Sequence, residues 1–158
     1  MQKVTIRDIK KKDLYSGNYL KVLENLSSQP VENKKQAFKI LNQIVSNPLH
    51  RIFVAVPDDN ENFEVLGSIT LLIEPKFIYC GGRVGHIEDV VVKRGSERKG
   101  LGKKLVQHAI NIAFKEMNCT KLILDCSDEN ITFYKKFGFI YHDNCLSKFN
   151  PVFHKSSL

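Results

Sequence analysis

The fold of this chain is decided by the stretch Arg98-Lys99-Gly100-Leu101-Gly102-Lys103. It follows a charged, β-branched run from His86 to Lys93 and opens an amphipathic helical pattern. Two glycines allow a tight turn and let a ligand approach the main chain closely. The first N–H groups of a helix have no partner within it, and the helix dipole is positive at that end. A strand, a glycine turn and a helix N-terminus together predict an anion site, with phosphate or pyrophosphate as the favoured ligand.

The same Gly-x-Gly pattern is also compatible with a plain connection between a strand and a helix, because short glycine motifs often match by chance. A phosphate loop of nucleotide hydrolases is disfavoured, since Gly102-Lys103 is not followed by Ser or Thr. A dinucleotide-binding unit is disfavoured as well, because the third glycine and the ribose-binding acid are missing. The flanking sequence therefore has to distinguish an anion site from a plain connection between a strand and a helix.

Length and composition indicate one globular domain. The chain has 158 residues, of which 42% are hydrophobic and 26% charged, values typical of a soluble protein with a single core. We therefore expect a single domain over residues 1–158. No apolar run reaches the length that spans a membrane, and residues 1–7 alternate like a strand rather than like a signal peptide. We expect no membrane association and a cytoplasmic location.

Charge and cysteines exclude two further classes of function. The formal net charge of +7 would suit an anionic partner. However, the lysine clusters are scattered and lack the interleaved aromatic residues of single-strand binders, so we expect no nucleic acid partner. The cysteines Cys80, Cys119, Cys126 and Cys145 form no Cys-x-x-Cys pair and have no histidine at ligand spacing, so we expect no metal.

Hydrophobic periodicity predicts a mixed chain in which most strands are antiparallel. The predicted strands include Val4 and Ile6 and the segments Arg51–Pro57, Glu64–Ile73, His86–Lys93, Thr120–Cys126 and Phe139–Phe149. Helical patterns follow Asp13 as far as Leu26, span Phe38–Val45, run from Leu101 to about Met117, and occupy Asn130–Phe137. A polar turn over residues 58–62 predicts a hairpin between two of the strands.

A second group of motifs lies in the C-terminal half. A short helix there ends in Phe133-Tyr134-Lys135-Lys136-Phe137-Gly138-Phe139, after an acidic strand and the basic glycine turn. This order resembles the GNAT acetyltransferase superfamily. Five blocks are similar to its members that act on glucosamine 6-phosphate: Ile73–Ile78, His86–Val92, Gly100–Lys103, Leu124–Cys126 and Asn130–Phe139. The resemblance implies an α+β GNAT fold, with a mixed, mostly antiparallel central sheet flanked by helices.

The resemblance also implies an activity. Acetyl would pass from acetyl-CoA directly to the amine of glucosamine 6-phosphate in a ternary complex, giving N-acetylglucosamine 6-phosphate for UDP-N-acetylglucosamine synthesis. It implies a homodimer with shared active sites and no metal. The expected acetyl-CoA-binding residues are Asp89, Val90, Val91, Glu97, Arg98, Lys99, Gly100, Leu101, Gly102, Lys103, Asn130, Phe133, Tyr134 and Lys135.

Three catalytic residues are expected from the same resemblance. Glu88 and Asp125 are the acids on the sugar side, and Tyr134 is the general acid for the departing CoA thiolate. A backbone N–H near Val90 would stabilise the oxyanion. Successive strand residues face opposite sides, so Glu88 and Asp89 can share one site only if the strand carries a bulge. The expected substrate-binding residues are Lys76, Phe77, Ile78, Tyr79, Glu88, Asp125 and Lys148.

Several alternatives stay open. Glu88 is compatible with a solvated strand charge and Asp125 with a cap of the following loop. The Tyr134 ring is compatible with simple packing among its aromatic neighbours. Glu97 stands where GNAT enzymes commonly carry Gln or Arg, and Lys148 stands near a family arginine. Two other functions remain: acetylation of a different small or peptide amine, and a non-catalytic acetyl-CoA-binding module.

Overall fold

The computed structural model describes residues 3–15, 18–27, 31, 33–58, 64–97 and 99–150. The chain divides after Leu124 into two compact units. The first contains a five-stranded sheet with its helices, and the second begins at Asp125 and contains one further helix. The organisation as one domain stays a prediction.

In the described part of the first unit, three helices follow the first strand, and three strands in succession come after them. Its strands are β1 (Val4–Asp8), β2 (His50–Pro57), β3 (Gly67–Pro75), β4 (Arg83–Val92) and β5 (Cys119–Leu124). Its helices are α1 (Lys11–Tyr15), α2 (Asn18–Leu23), α3 (Lys34–Val45) and α4 (Leu101–Asn111). A 3₁₀ turn occupies Tyr79–Gly81, and a π-helical turn over Ile112–Glu116 continues α4. The strand order is β1-β2-β3-β4-β5, antiparallel except for the parallel pair β4–β5. The predicted α+β class is therefore confirmed.

Helices cover both faces of this sheet. On one face Tyr19 and Val22 of α2 join Val54 and Val91 in a buried cluster to which α1 and α3 also contribute. Alternation along β2 turns Phe53 to the opposite face, where its ring meets His108 of α4 edge-on at 4.7 Å. The sheet is therefore a central layer that is buried on both sides over much of its area.

The start of α1 differs from the prediction. Asp13 was expected to precede the helix, but it lies inside α1 and is fully buried. Its carboxylate accepts hydrogen bonds from the Arg7 guanidinium at 2.7 and 2.8 Å and from the Lys10 backbone N–H at 2.7 Å. A buried charge that is paired and hydrogen-bonded in this way is tolerated in the core.

One predicted strand is wrong. Residues 139–150 form neither helix nor strand, and Ile140 and Leu146 are 82% and 94% exposed. A strand needs a neighbour for its backbone groups, and none pairs with this segment in the described part of the chain. Apolar composition alone suggested a strand. The other strands exist with shifted ends, since β3 runs to Pro75 and β4 begins at its partner Arg83.

No helix within the described ranges is long and apolar enough to cross a membrane.

Candidate active site

Strand β4 carries a bulge at its acidic residues. Ser68 pairs with Val91 and Thr70 pairs with Glu88, so β4 has one residue more than β3 between these two pairs. The two residues between Glu88 and Val91 are Asp89 and Val90, which lie opposite a single residue of β3. Asp89 has a left-handed φ of 49°. The structure thus supplies the bulge that strand alternation required for Glu88 and Asp89 to serve one site.

The bulge changes the exposure and the backbone pairing of residues 88–91. Both Glu88 and Asp89 are exposed, Val90 is half-buried, and Val91 is anchored in the core. A bulge leaves its extra residue outside the regular ladder and re-aims the neighbouring side chains. Backbone groups of Asp89 and Val90 are therefore placed to bind something other than β3, next to two carboxylates.

The glycine turn opens α4 as predicted. Gly100 is the N-cap residue, with φ 75° and ψ 9°, and no side chain caps the helix. A Cβ added at Gly100 would meet no atom within 4 Å, so the space beside this turn is open. Leu101 is buried while Lys99 and Lys103 are exposed beside the turn. The uncapped N–H groups and the flanking ammonium groups suit a phosphate. Arg98 lies outside the described residues.

Glu97 is folded back onto the loop that joins β4 to α4. Its carboxylate accepts a hydrogen bond from the backbone N–H of Gly95 at 2.6 Å, and Gly95 itself has a φ of 80°. The acid that departs from the family pattern therefore stabilises the loop conformation that leads into the glycine turn.

We expect Glu97→Gln to bind CoA about two- to fivefold more tightly. The amide oxygen can still accept from Gly95, while the removed charge near a helix N-terminus is worth about 0.4–1 kcal/mol of repulsion toward a pyrophosphate. Glu97→Ala, which loses the loop contact, is expected to bind CoA more weakly. Isothermal titration measures both, and weaker binding by Glu97→Gln would show that the ionised acid is needed.

A charged cluster lies on the same face of the sheet as Glu88. Glu74 contacts the Lys76 ammonium at 2.5 Å and the His86 ring at 3.1 Å. The hydrogen bond from Lys76, and then that from His86, lowers the pKa of Glu74. His86 precedes Glu88 by two residues on β4, so their side chains share a face. Lys76, predicted to bind the substrate, thus contacts Glu74, which lies two positions away and was not among the predicted site residues.

An apolar run follows Lys76. Phe77 is fully exposed, and Ile78 and Tyr79 are 60% and 52% exposed. The Tyr79 ring lies under the Lys121 ammonium, which is 5.6 Å from the ring centroid. Tyr79 and Cys80 both have left-handed backbone angles. A surface of this kind is unusual unless something binds it.

Asp125 and helix α5 (Asp128–Lys135) belong to the second unit. The Asp125 carboxylate accepts a hydrogen bond from the Cys145 thiol at 3.3 Å. The Asn130 side-chain amide donates to the Ser127 hydroxyl at 3.0 Å in the first turn of α5. Lys135 is exposed at the end of the helix, and Lys148 is exposed in the irregular segment after it.

Tyr134 is the buried residue of α5. Its ring contacts Phe133 and Phe139 edge-on, with centroids 5.0 and 6.0 Å apart. Burial, with a smaller contribution from Cys126, raises the pKa of the Tyr134 phenol. The phenol therefore keeps its proton at neutral pH. Aromatic packing and proton donation, which the sequence presented as alternatives, are compatible in this arrangement.

No group of three metal-ligating side chains occurs among the residues that the structure describes.

Comparison with known proteins identifies the family. The model of the acetyltransferase (GNAT) family matches residues 18–139. A glucosamine 6-phosphate N-acetyltransferase of Candida albicans is 36% identical over 138 residues, which is 87% of this chain and 90% of that protein. One from Schizosaccharomyces pombe is 44% identical over 86 residues, covering 54% of this chain and 77% of its own length. The crystal structure of the Arabidopsis thaliana enzyme of this name superposes with a TM-score of 0.85 at 32% identity, covering 94% of this chain and 99% of that one.

Proposed function

This chain belongs to the GNAT acetyltransferase family, and we propose that it transfers the acetyl group of acetyl-CoA to the amine of glucosamine 6-phosphate. The observation that carries the proposal is the likeness to the Candida albicans enzyme, which extends over most of both chains. The bulged acidic strand and the open glycine turn support it, because acetyl transfer needs both an oriented amine and a bound acetyl donor. The product, N-acetylglucosamine 6-phosphate, would be consumed in UDP-N-acetylglucosamine synthesis.

Residues of the first unit are suited to hold acetyl-CoA. The pyrophosphate would lie on the turn from Glu97 to Gly102, since the space beside Gly100 is open and the helix dipole is positive there. The pantetheine and acetyl portions would run along Asp89, Val90 and Val91, whose bulge offers backbone groups outside the ladder. In the second unit, Asn130, Phe133, Tyr134 and Lys135 are proposed to complete the binding of the cofactor.

The proposed reaction is a direct displacement. The amine nitrogen attacks the thioester carbonyl carbon, the carbon–sulfur bond breaks, and the CoA thiolate takes a proton from Tyr134. Glu88 and Asp125 orient the amine, so that a bimolecular step becomes an oriented one. One of these carboxylates takes the proton that the nitrogen loses and releases it to solvent, and the Tyr134 phenolate regains a proton from solvent. The N–H near Val90 donates to the oxyanion, and the loss of such a donor costs about 3 kcal/mol in other enzymes.

The decisive experiment measures release of the free CoA thiol from acetyl-CoA with and without glucosamine 6-phosphate. We expect rapid release only when the sugar phosphate is present. Glucosamine without the phosphate, a polyamine and a peptide with a free N-terminus serve as competing acceptors. Faster release with one of these would replace the proposed acceptor, and binding of acetyl-CoA without release for any amine would indicate a non-catalytic module.

We expect Lys76→Ala to raise the KM for glucosamine 6-phosphate about 10- to 100-fold, because a charge-assisted hydrogen bond is worth about 1.5–3 kcal/mol. The KM for acetyl-CoA is expected to stay unchanged. Lys148→Ala tests the second basic candidate, and an unchanged KM would exclude it. Lys35→Ala, at an exposed position of α3, is the matched control. Equal KM values in Lys76→Ala and Lys35→Ala would contradict a phosphate-binding role for Lys76.

We also propose a homodimer with shared active sites and a cytoplasmic location. The exposed apolar run Phe77, Ile78 and Tyr79 supports the dimer, since surfaces of this kind commonly bind another protein. Sedimentation of the purified chain at micromolar concentration tests it, and a monomer there would overturn the shared site.

A further inference from the structure

Side chains at both ends of helix α2 donate hydrogen bonds to the chain at the ends of β3 and β4, the strands that form the bulge. The Asn18 side-chain amide donates to the carbonyl oxygen of Val65 at 2.9 Å, just before β3 begins. The Asn25 side-chain amide, just after α2, donates to the carbonyl oxygen of Val92 at 3.0 Å, the last residue of β4. Between these two contacts, Tyr19 is buried in the cluster that includes Val91. The helix is thus tied to the sheet on both sides of the bulged region.

Two hydroxyl groups lie behind the bulge. Ser68 pairs with Val91 at the edge of the register shift and is fully buried. Its hydroxyl makes no hydrogen bond of good geometry within the described part of the chain. Tyr19 belongs to the buried cluster that contains Val91, the pairing partner of Ser68, and the Ser68 hydroxyl lowers the pKa of the Tyr19 phenol. Ser68 pairs with Val54 and Val91, which belong to the cluster under α2, so both groups lie on the side of the sheet on which α2 packs.

The phenol of Tyr19 keeps its proton at neutral pH. Burial is the main cause that raises its pKa to about 12, the Ser68 hydroxyl opposes the shift, and the Asp89 and Asp13 carboxylates add to it. Asp13 is already neutralised by Arg7. Asp89, the other carboxylate, is the residue with the left-handed backbone in the bulge.

This arrangement is costly for folding. A buried hydroxyl without a partner destabilises a protein, whereas an apolar residue of the same shape would not. A non-glycine residue with a left-handed backbone is also strained, and such strain persists only where the surroundings impose it. The close packing continues at Gly67, where a Cβ would come within 2.8 Å of the Val91 carbonyl oxygen. Both costs fall at the same place, beside the backbone that is proposed to receive the acetyl group.

We propose that Tyr19 and Ser68 are positioning residues for the bulge of β4, holding the backbone of Asp89 and Val90 in the conformation that receives the acetyl carbonyl of acetyl-CoA. The inference rests on the proposed function in one respect, namely that acetyl-CoA is the donor. It does not depend on which amine is acetylated.

The test compares acetyl-CoA with CoA, because only the former places a carbonyl at the bulge. Tyr19→Phe and Ser68→Ala each remove a hydroxyl and keep the packing. The preference is the ratio of the Kd for CoA to the Kd for acetyl-CoA, measured by isothermal titration. We expect this ratio to fall at least fivefold in each variant, while the Kd for CoA changes less than twofold. We expect the melting temperature of Ser68→Ala to stay the same or rise. Tyr15→Phe is the matched control, since Tyr15 is 64% exposed on α1.

Each contrary result is informative. An unchanged preference in both variants overturns the inference, as does a wild-type protein that binds CoA and acetyl-CoA equally. A parallel loss of affinity for CoA and acetyl-CoA also overturns it, because the hydroxyls would then support the fold and not the bulge. A wild-type protein that prefers acetyl-CoA but does not acetylate glucosamine 6-phosphate refutes the proposed acceptor and leaves the titration test of Tyr19 and Ser68 intact.

Discussion

Tyr134→Phe is expected to lower kcat for acetyl transfer about 10²- to 10⁴-fold, the range that a positioned general acid contributes. The substitution removes only the phenolic hydroxyl. The ring keeps its edge contacts with Phe133 and Phe139, so the melting temperature and the Kd for acetyl-CoA are expected to change little. Thiol release under saturating substrates measures kcat, and titration of acetyl-CoA measures binding.

The pH profile of the wild-type enzyme provides a second readout for Tyr134. A general acid acts only while protonated, so its activity is lost as the pH rises through its pKa. Burial raises the pKa of this phenol above the ordinary value of about 10. We therefore expect no alkaline loss of kcat due to Tyr134 below about pH 10.

Tyr141→Phe is the matched control for this experiment. Tyr141 lies in the same unit, is 73% exposed, and its hydroxyl bonds to Asn144 at 2.5 Å. The kcat of the Tyr141→Phe variant is expected to equal that of the wild type. If Tyr134→Phe also keeps the wild-type rate, the residue only packs against its aromatic neighbours, and the thiolate must be protonated from another source.

Glu88→Gln is expected to lower kcat/KM for glucosamine 6-phosphate about 10²-fold or more, the lower end of the effect of an acid–base group. The amide keeps the size of the side chain but can neither attract an amine that carries positive charge nor accept its proton. The bulge presents the Glu88 carboxylate at the surface. Because acetyl-CoA is expected to contact the backbone here, its Kd is predicted to remain within twofold of the wild type.

Glu24→Gln is the control for the loss of one negative charge, because Glu24 is exposed just after α2. Steady-state kinetics with both substrates varied separates the acceptor from the donor. Wild-type kcat/KM in Glu88→Gln would mean that Glu88 is only a solvated strand charge. Asp125 would then be the remaining acidic candidate.

Local pattern was sufficient for most elements of the first unit. The spacing of Leu101, Leu105 and Ala109 predicts α4, and these residues are buried as expected. A hairpin was predicted from the polar turn over residues 58–62; residues 59–62 lie outside the described residues, but the antiparallel pairing of β2 and β3 is confirmed. Prediction failed over Phe139–Phe149, where several apolar residues suggested a strand. That segment has no partner strand in the described chain, and apolar composition carries no information about pairing.

The amino-acid sequence by itself determined the order of strand, glycine turn and helix, because turns, caps and periodicity depend on neighbouring residues; the anion site proposed at Gly100 rests on that order. Only the tertiary structure decided the bulge at Asp89, since a bulge exists through the register of β4 against β3. The tertiary structure also decided three other features. Glu97 accepts a hydrogen bond from Gly95, Lys76 contacts Glu74, and Tyr19 and Ser68 are buried behind the bulge. These features join residues through folded loops or across strands, and their geometry arises only when the chain has packed.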